Sequence, residues 1–252
     1  MRNIRIIARL DVKSEHLVKG IQLEGLRKLG KPNDFARKYY SGGIDEIIYV
    51  DIVASLYERN SLLPIIEKAS DDIFIPMTVT GGIRSVENAR AALHAGADKV
   101  GVNTAAIKNP QLISDIAEEF GSQCMVASIE AKNTGAGTWE AYYDNGREKT
   151  GISVLDWAKE LEQRGAGEIL LTSVDREGAG KGMDTDLISA ICDTVNIPVI
   201  ASGGVGNVTH MKDVINQTNV SAIAVAKTLH YEETTIADIK DELRSIHGVE
   251  IR

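Results

Sequence analysis

The chain has 252 residues, a formal net charge of −8 and two cysteines, and 43% of its residues are hydrophobic. This is the composition of an ordinary globular protein, and the acidic balance argues against a broad nucleic-acid surface. Two cysteines indicate no disulfide framework, no apolar run is long enough to span a membrane, and the first residues enter a strand pattern rather than a signal peptide. We therefore expect a cytoplasmic protein.

Eight short apolar runs alternate with longer amphipathic stretches. The runs are typical of parallel strands buried on both faces. They are Arg5–Leu10, Glu46–Asp51, Ile75–Thr80, Lys99–Asn103, Cys124–Ile129, Glu168–Ser173, Pro198–Ala201 and Ala222–Ala226. The helical patterns between them include Pro32–Gly42, Ser85–Ala95, Pro110–Phe120, Val154–Arg164 and Thr185–Val195. This alternation predicts a single α/β domain over residues 1–252, a (β/α)8 TIM barrel, with a doubly wound sheet as the alternative.

A glycine-rich segment follows the fifth predicted strand. Asn133–Gly137 is typical of a hairpin or flexible loop, with short strand pieces at Trp139–Tyr143 and Arg147–Thr150. Loops after barrel strands lie at the carboxyl ends of those strands, so we expect this segment to cover a site there.

The two halves of the chain repeat each other at a spacing of about 120 residues. Four matches occur in the same order: Asp11 with Glu130, Glu46 with Glu168, Asp51 with Asp175, and Gly81-Gly82 with Gly203-Gly204. Such a series favours a barrel built from two half-barrel repeats of four strands each. A doubly wound sheet would not explain the repeat.

Each Gly-Gly pair ends a predicted strand and precedes a helix. Glycine lets backbone N–H groups approach an anion closely, and the following helix N-terminus adds a favourable dipole. We therefore predict two phosphate cradles, completed by neighbouring turns: Asn103-Thr104 in the first half, and Gly178 with Ala226-Lys227 in the second. A tight turn without a ligand is the alternative for either pair, but the paired occurrence in a barrel favours phosphate.

Asp11 and Glu130 end corresponding strands. Facing carboxylates at a barrel mouth can divide general-acid and general-base roles, and the alternative is a pair of solvated loop acids. We interpret Asp51 and Asp175 as substrate-orienting groups or as ion-pair partners within the barrel. Lys19 could neutralise Asp11, hold a loop over the substrate, or remain solvated.

Four charged residues fall near the N-terminal ends of predicted strands: Arg5, Glu46, Lys99 and Glu168. Charges inside a barrel are costly unless they are paired, so two acids and two bases could close the floor as an ion-pair ring. The histidines are scattered and match no metal-ligand spacing, and we expect no metal and no other cofactor.

Several segments carry the motifs of one known family. They are LDVK at Leu10–Lys13, LVKG at Leu17–Gly20, GADKV with NTAA at Gly96–Ala106, RGAGEILLTSVDREG at Arg164–Gly178 and IPVIASGG at Ile197–Gly204. On these motifs the chain resembles the cyclase subunit of imidazole glycerol phosphate synthase over essentially its whole length. The resemblance implies a barrel lyase in histidine synthesis. It would use ammonia from a partner glutaminase to split and cyclise a ribulosyl aminoimidazole-carboxamide bisphosphate.

By position, the resemblance implies that Asp11 and Glu130 are the catalytic carboxylates. The implied substrate-binding and phosphate-binding residues are Lys19, Gly82, Asn103, Thr104, Thr172, Glu177, Gly178, Gly203, Gly204, Ala226 and Lys227. The implied ammonia gate consists of Arg5, Glu46, Lys99 and Glu168. The glutaminase would bind at the N-terminal face of the barrel as a heterodimer partner, and Asp98 would face it.

Five positions depart from the family pattern. Glu130 and Glu177 stand where the family has aspartate, Arg9 replaces a small residue, Thr80 a glycine, and Lys227 a serine. An extra methylene at residue 130 moves the carboxylate, and a displacement of about 1 Å can cost on the order of 100-fold in rate. Two alternatives therefore stay open: a paralogue that delivers glutamine-derived ammonia to amidate a surface sugar, and a non-catalytic barrel that activates a glutaminase.

Overall fold

The structure, a computed structural model, describes residues 2–54 and 62–252. The strands are β1 (Arg2–Lys13), β2 (His16–Ile21), β3 (Glu24–Gly30), β4 (Glu46–Asp51), β5 (Met77–Thr80), β6 (Lys99–Val102), β7 (Met125–Gly135), β8 (Thr138–Tyr143), β9 (Glu148–Ser153), β10 (Glu168–Ser173), β11 (Val199–Ser202), β12 (Ala222–Val225) and β13 (Val249–Ile251). The helices are α1 (Pro32–Ser41), α2 (Leu63–Ser70), α3 (Val86–His94), α4 (Thr104–Lys108), α5 (Gln111–Phe120), α6 (Val154–Gln163), α7 (Thr185–Cys192), α8 (Val208–Gln217), α9 (Lys227–His230) and α10 (Ile236–Leu243).

Eight parallel strands close into a barrel. Their order is β1, β4, β5, β6, β7, β10, β11 and β12, and β12 pairs with β1 again. Helices lie between the consecutive barrel strands, so the predicted (β/α)8 barrel is confirmed and the doubly wound alternative is wrong.

Apolar side chains on both faces of the strands explain why this sheet closes. The outward residues of β1 and β4, such as Ile6 and Ile47, join the main core against the helices, whereas inward residues such as Ile7 and Ile48 form a separate cluster inside the barrel. Both faces of the strands are therefore buried, as in other parallel sheets, and closure into a barrel leaves no edge strand unpaired.

Local sequence signals set the beginning of several helices. Ser85 accepts a hydrogen bond from the backbone N–H of Asn88 and so caps α3, as the sequence predicts. Helix α6 begins after the cap Ser153 and buries Val154, Trp157, Ala158 and Leu161, a spacing that places one apolar stripe against the barrel.

Two antiparallel hairpins extend from the barrel mouth. β2 and β3 form one that pairs with the end of β1, and the sequence analysis did not predict it. β8 and β9 extend the long strand β7. Of the two alternatives for Asn133–Gly137, the structure shows the hairpin: β7 continues through Gly135 and turns into β8 at Thr138. The piece placed at Arg147–Thr150 is the strand Glu148–Ser153. Backbone hydrogen bonds between neighbouring strands set the ends of β7 and β9, and the pattern of side chains does not show those ends.

Among the described residues, no helix is long and apolar enough to cross a membrane.

Candidate active site

The inward-facing residues of the barrel form layers along its axis, and the lowest layer is charged. Arg5 Nη1 lies 2.8 Å from Glu46 Oε1, and Arg5 Nη2 pairs with Glu168. Lys99 Nζ completes the ring at 3.3 Å from Glu46 and 2.9 Å from Glu168. Burial opposes the charge of Arg5, but the two carboxylates outweigh it and raise its pKa. The predicted four residues therefore meet at the floor, where each cation bridges both acids.

The next layer is apolar. Its members come from six different barrel strands and form one cluster: Ile7, Ile48, Val126, Leu170, Ile200, Ala222 and Ala224. This layer separates the charged floor from the polar residues at the mouth.

Above the apolar layer, the Arg9 side chain crosses the barrel interior. Its Nε donates to Asp11 Oδ1 at 2.8 Å, and its Nη1 donates to Thr172 Oγ1 at 2.9 Å and to Ser202 Oγ at 3.0 Å. Arg9 and Asp11 are 4% and 3% exposed, so this ion pair is sealed from bulk water. The departure at residue 9 therefore places a fixed cation beneath the predicted catalytic acid.

The hairpin β2–β3 brings a second cation to the same acid. Lys19 Nζ lies 2.9 Å from Asp11 Oδ2 and also pairs with Glu177. The backbone N–H of Gln22, at the tip of this hairpin, donates to the Glu177 carbonyl at 2.8 Å. Of the alternatives for Lys19, the structure shows neutralisation of Asp11 in a hairpin that packs against the loop after β10.

These two cations fix the ionisation of Asp11. Burial alone would raise the pKa of Asp11, but the charges of Arg9 and Lys19 and their hydrogen bonds outweigh burial and hold the pKa well below its usual range. Asp11 is therefore a permanent carboxylate at neutral pH. It can attract a cation or accept a proton from a strong acid, but it carries no proton to give.

Glu130 has a different environment. Burial raises its pKa to about 7, against the opposing effects of a hydrogen bond from the Gly146 N–H, the charge of Arg9 and a hydrogen bond from Asn103. The Gly146 N–H lies 2.7 Å from Glu130 Oε2. Glu130 can therefore gain and lose a proton near neutral pH, as a general acid or base must. The two predicted carboxyl groups differ in ionisation because only Asp11 forms ion pairs among the described residues.

The first predicted cradle opens into a cavity of about 310 Å³. Its lining includes Gly82, Asn103, Thr104, Glu130, Arg9 and Thr172. Gly81 and Gly82 have φ values of 86° and 81°, and a Cβ on Gly81 would lie 2.3 Å from the Asp51 carbonyl oxygen. Only glycine fits this turn without moving the backbone. The structure therefore brings the first cradle, Glu130 and Arg9 together in one space.

The second predicted cradle is arranged differently. Gly203 and Gly204 are buried, and a Cβ on Gly204 would lie 2.2 Å from the Gly182 carbonyl oxygen. Lys19, Gly178 and Lys227 line another cavity of about 670 Å³, which Gly203 and Gly204 do not line. Lys227 also lies 3.6 Å from Glu233. The loop 178–182 therefore covers the second Gly-Gly pair. Gly178 and Lys227, which were predicted to complete the same cradle, line the second cavity instead.

The remaining predicted acids diverge. Asp51 lines the first cavity and accepts the Val53 N–H at 3.1 Å. Asp175 is exposed and accepts the Asn133 N–H at 2.8 Å, which anchors the strand β7 instead of facing a cavity. Asp98 Oδ2 accepts the Met77 N–H at 2.8 Å at the start of β5.

Two contributors were missed by the sequence analysis. Ser202 binds Arg9, and it occupies the repeat position of Thr80, so the repeat could have identified it. The turn between β8 and β9 supplies the Gly146 N–H to Glu130 and the Asp144 N–H to Thr104 Oγ1, the latter at 3.1 Å. A backbone donor of this kind leaves no signal in side-chain identity. In residues 2–54 and 62–252, no group of three or more His, Cys, Asp or Glu side chains could hold a metal ion.

Several known proteins are similar in sequence to this chain over most of its length. The family model described as "Histidine biosynthesis protein" matches residues 5–235. The imidazole glycerol phosphate synthase subunit HisF of Legionella pneumophila is 59% identical over 206 residues, which are 82% of this chain and 97% of that protein. The HisF subunits of Streptococcus mutans and Natranaerobius thermophilus are 46% and 44% identical, each over 98% of both chains.

The tight turn at Gly81 leads to a prediction. Gly43 and Gly81 have nearly equal φ values of 84° and 86°, but a Cβ on Gly43 meets nothing within 4 Å. Gly43→Ala should cost about 1–2 kcal/mol of unfolding free energy through backbone strain alone. Gly81→Ala should cost about 1–3 kcal/mol more, because the added carbon also collides with the backbone of β4. Denaturant unfolding of both variants measures the difference, and equal losses would contradict the collision.

Proposed function

The chain belongs to the histidine biosynthesis family that includes the HisF subunits, and we propose that it is the cyclase subunit of imidazole glycerol phosphate synthase. In this function it takes a ribulosyl aminoimidazole-carboxamide bisphosphate and ammonia. It releases imidazole glycerol phosphate and an aminoimidazole-carboxamide ribotide, in the cytoplasm. The comparisons do not favour the sugar-amidation paralogue or the non-catalytic activator.

One observation carries the proposal within the structure. A glycine cradle and Glu130 line one cavity at one end of the barrel, and the buried carboxylate of Asp11 pairs with Arg9 in the lining of that cavity. A charged ring lies at the opposite end, with an apolar layer between them. A barrel that binds phosphate, moves protons and receives a small neutral nucleophile from below needs each of these parts.

The two carboxyl groups suit different steps. Ammonia must add to a carbonyl carbon of the substrate, and the carbonyl oxygen must leave as water, which requires a proton donor. Glu130 is the group that holds a transferable proton near pH 7, so it would supply that proton. Asp11 stays ionised between Arg9 and Lys19, so it would stabilise positive charge on the nitrogen. Glu130, ionised after it has donated its proton, would accept the proton that ring closure releases.

The phosphate groups of the substrate would use both halves of the mouth. Gly82, Asn103 and Thr104 would bind one phosphate in the first cavity. Gly178 and Lys227 line the second cavity and would bind the other, whereas the charge of Lys19 is already matched by Asp11 and Glu177. The loop 178–182 would have to move for Gly203 and Gly204 to contribute their N–H groups, because it now packs against them.

Ammonia would enter through the floor. The side chains of Arg5 and Lys99 are 15% and 19% exposed, more than those of their partners Glu46 and Glu168, so the ring is accessible in part. Ammonia is neutral and can cross the apolar layer above, whereas ammonium would have to lose its hydration. A glutaminase subunit bound at this N-terminal face would deliver ammonia without releasing it to water.

Activity with ammonium salt tests the proposed reaction. The purified chain should convert the bisphosphate to both products without a partner. Asp11→Asn should abolish turnover, since its carboxylate would contact the reacting groups, and we expect a loss of at least about 1000-fold, on the scale of other removed catalytic groups. Normal turnover in this variant would refute the role of Asp11. A wild-type chain that stimulates a glutaminase but forms no product would indicate the non-catalytic alternative.

The partner face gives a second test. Phe74 is 77% exposed and precedes β5, whose first residue Met77 lies beside Asp98 at the floor. A glutaminase that binds at this face would cover Phe74, so this side chain is the contact to test. Phe74→Asp should weaken glutaminase binding and lower glutamine-dependent turnover, while ammonium-dependent turnover stays unchanged. Ile21→Asp, on the exposed hairpin at the opposite end, is the matched control and should leave glutaminase affinity unaltered. Equal affinities in all three proteins would contradict this face.

A further inference from the structure

The hydrogen bonds that Arg9 makes to the barrel do not use all of its N–H donors. Its Nε makes one bond to Asp11, and its Nη1 makes two, to Thr172 and Ser202. A guanidinium carries five N–H donors, so the two hydrogens of Nη2 remain. Among the described residues, Nη2 makes no hydrogen bond, and Arg9 lines the first cavity. The arginine therefore presents unused donors from a fixed position.

The fixed position follows from its partners. Thr172 and Ser202 belong to β10 and β11, so the side chain spans the interior from β1 to the far strands and cannot swing away without breaking three bonds. Thr172 is also the register partner of Glu130 on β7. The unused donors thus lie close to Glu130, and both residues line the first cavity.

The charge of the surroundings indicates what these donors would bind. Arg9 and Lys19 are matched by Asp11 and Glu177, two cations against two carboxylates in direct contact. Such a cluster has no surplus positive charge for a second phosphate. A buried N–H group still requires an acceptor, and an uncharged oxygen satisfies it without unbalancing the cluster.

We propose that Arg9 is a substrate-binding residue that sets specificity by donating from Nη2 to an uncharged carbonyl oxygen of the substrate. That oxygen would lie between the phosphate in the first cradle and the Glu130 carboxyl. The inference rests on the proposed function, in which the substrate carries both a carboxamide and a ketose carbonyl between its phosphates. Either oxygen offers the required acceptor, and the experiment separates them.

Calorimetric binding to the full chain tests the proposal with three probes. Aminoimidazole-carboxamide ribotide carries a phosphate and a carboxamide, ribulose 5-phosphate carries a phosphate and a ketone, and glycerol 3-phosphate carries neither carbonyl. Arg9→Lys keeps the charge beside Asp11 but cannot reach three partners and the cavity together. It should weaken binding of at least one carbonyl probe by about 10- to 100-fold, the value of one charged hydrogen bond. Its affinity for glycerol 3-phosphate should match that of the wild type.

Two further variants keep the result interpretable. Arg9→Met with Asp11→Asn removes both charges together, leaves no unpaired buried carboxylate, and should show the same selective loss. Arg90→Lys changes an exposed arginine that pairs with Glu119 on the outer surface, and should bind all three probes as the wild type does. Thermal unfolding of each variant confirms that the barrel is folded at the temperature of the titration.

The outcomes separate the possibilities. Loss confined to the ribotide assigns the acceptor to the carboxamide, and loss confined to ribulose 5-phosphate assigns it to the ketone. Unchanged affinities for both carbonyl probes would overturn the proposal, as would an equal loss for glycerol 3-phosphate, because that would indicate a general effect on the cavity. A wild-type chain that binds none of the probes would contradict the proposed function itself, and the role of Arg9 with it.

Discussion

A carboxyl group buried at the mouth of a barrel is stable when a cation matches its charge or when it keeps its proton, and Asp11 and Glu130 represent these two cases. Desolvation of an isolated carboxylate costs several kcal/mol or more, so pairing decides which acids are ionised. Asp11 has two cations in direct contact and stays charged. Glu130 accepts a backbone N–H and makes no ion pair among the described residues, and its pKa rises to about 7. One rim therefore holds one permanent anion and one exchangeable proton.

The same constraint connects the two ends of the barrel. At the floor, two cations and two acids neutralise one another, so charged groups can lie inside the sheet without an unpaired member. The apolar layer then isolates this ring from the cluster of Arg9, Asp11, Lys19 and Glu177 above it. A neutral molecule crosses such a layer more readily than an ion does, so the arrangement is compatible with the proposed delivery of ammonia from one face and chemistry at the other.

Much of this arrangement could be predicted from the sequence, because it depends on periodicity and repetition. The strand pattern predicted the barrel, and the positions of Arg5, Glu46, Lys99 and Glu168 at the starts of strands predicted that they meet at the floor. The repeat predicted that Gly81-Gly82 ends a strand at the mouth, where it lines a cavity. The coverage of Gly203-Gly204 by the loop 178–182 could not be predicted from periodicity or repetition, because contacts across the mouth fix the position of that loop. The Gly146 donor and the path of Arg9 also escaped prediction. One is a backbone group brought in by a distant hairpin, and the other depends on three partners on separate strands.

The protonation of Glu130 is the most direct test of this account. The wild-type chain can be labelled with carbon-13 at the glutamate side-chain carboxyls and titrated by NMR, and the Glu130 signal is identified by its absence from Glu130→Gln. The account predicts one glutamate that titrates near pH 7, well above the ordinary value of about 4.3 for glutamate. A Glu130 signal that titrates with the exposed glutamates would contradict the central claim that the mouth holds one locked and one exchangeable carboxyl.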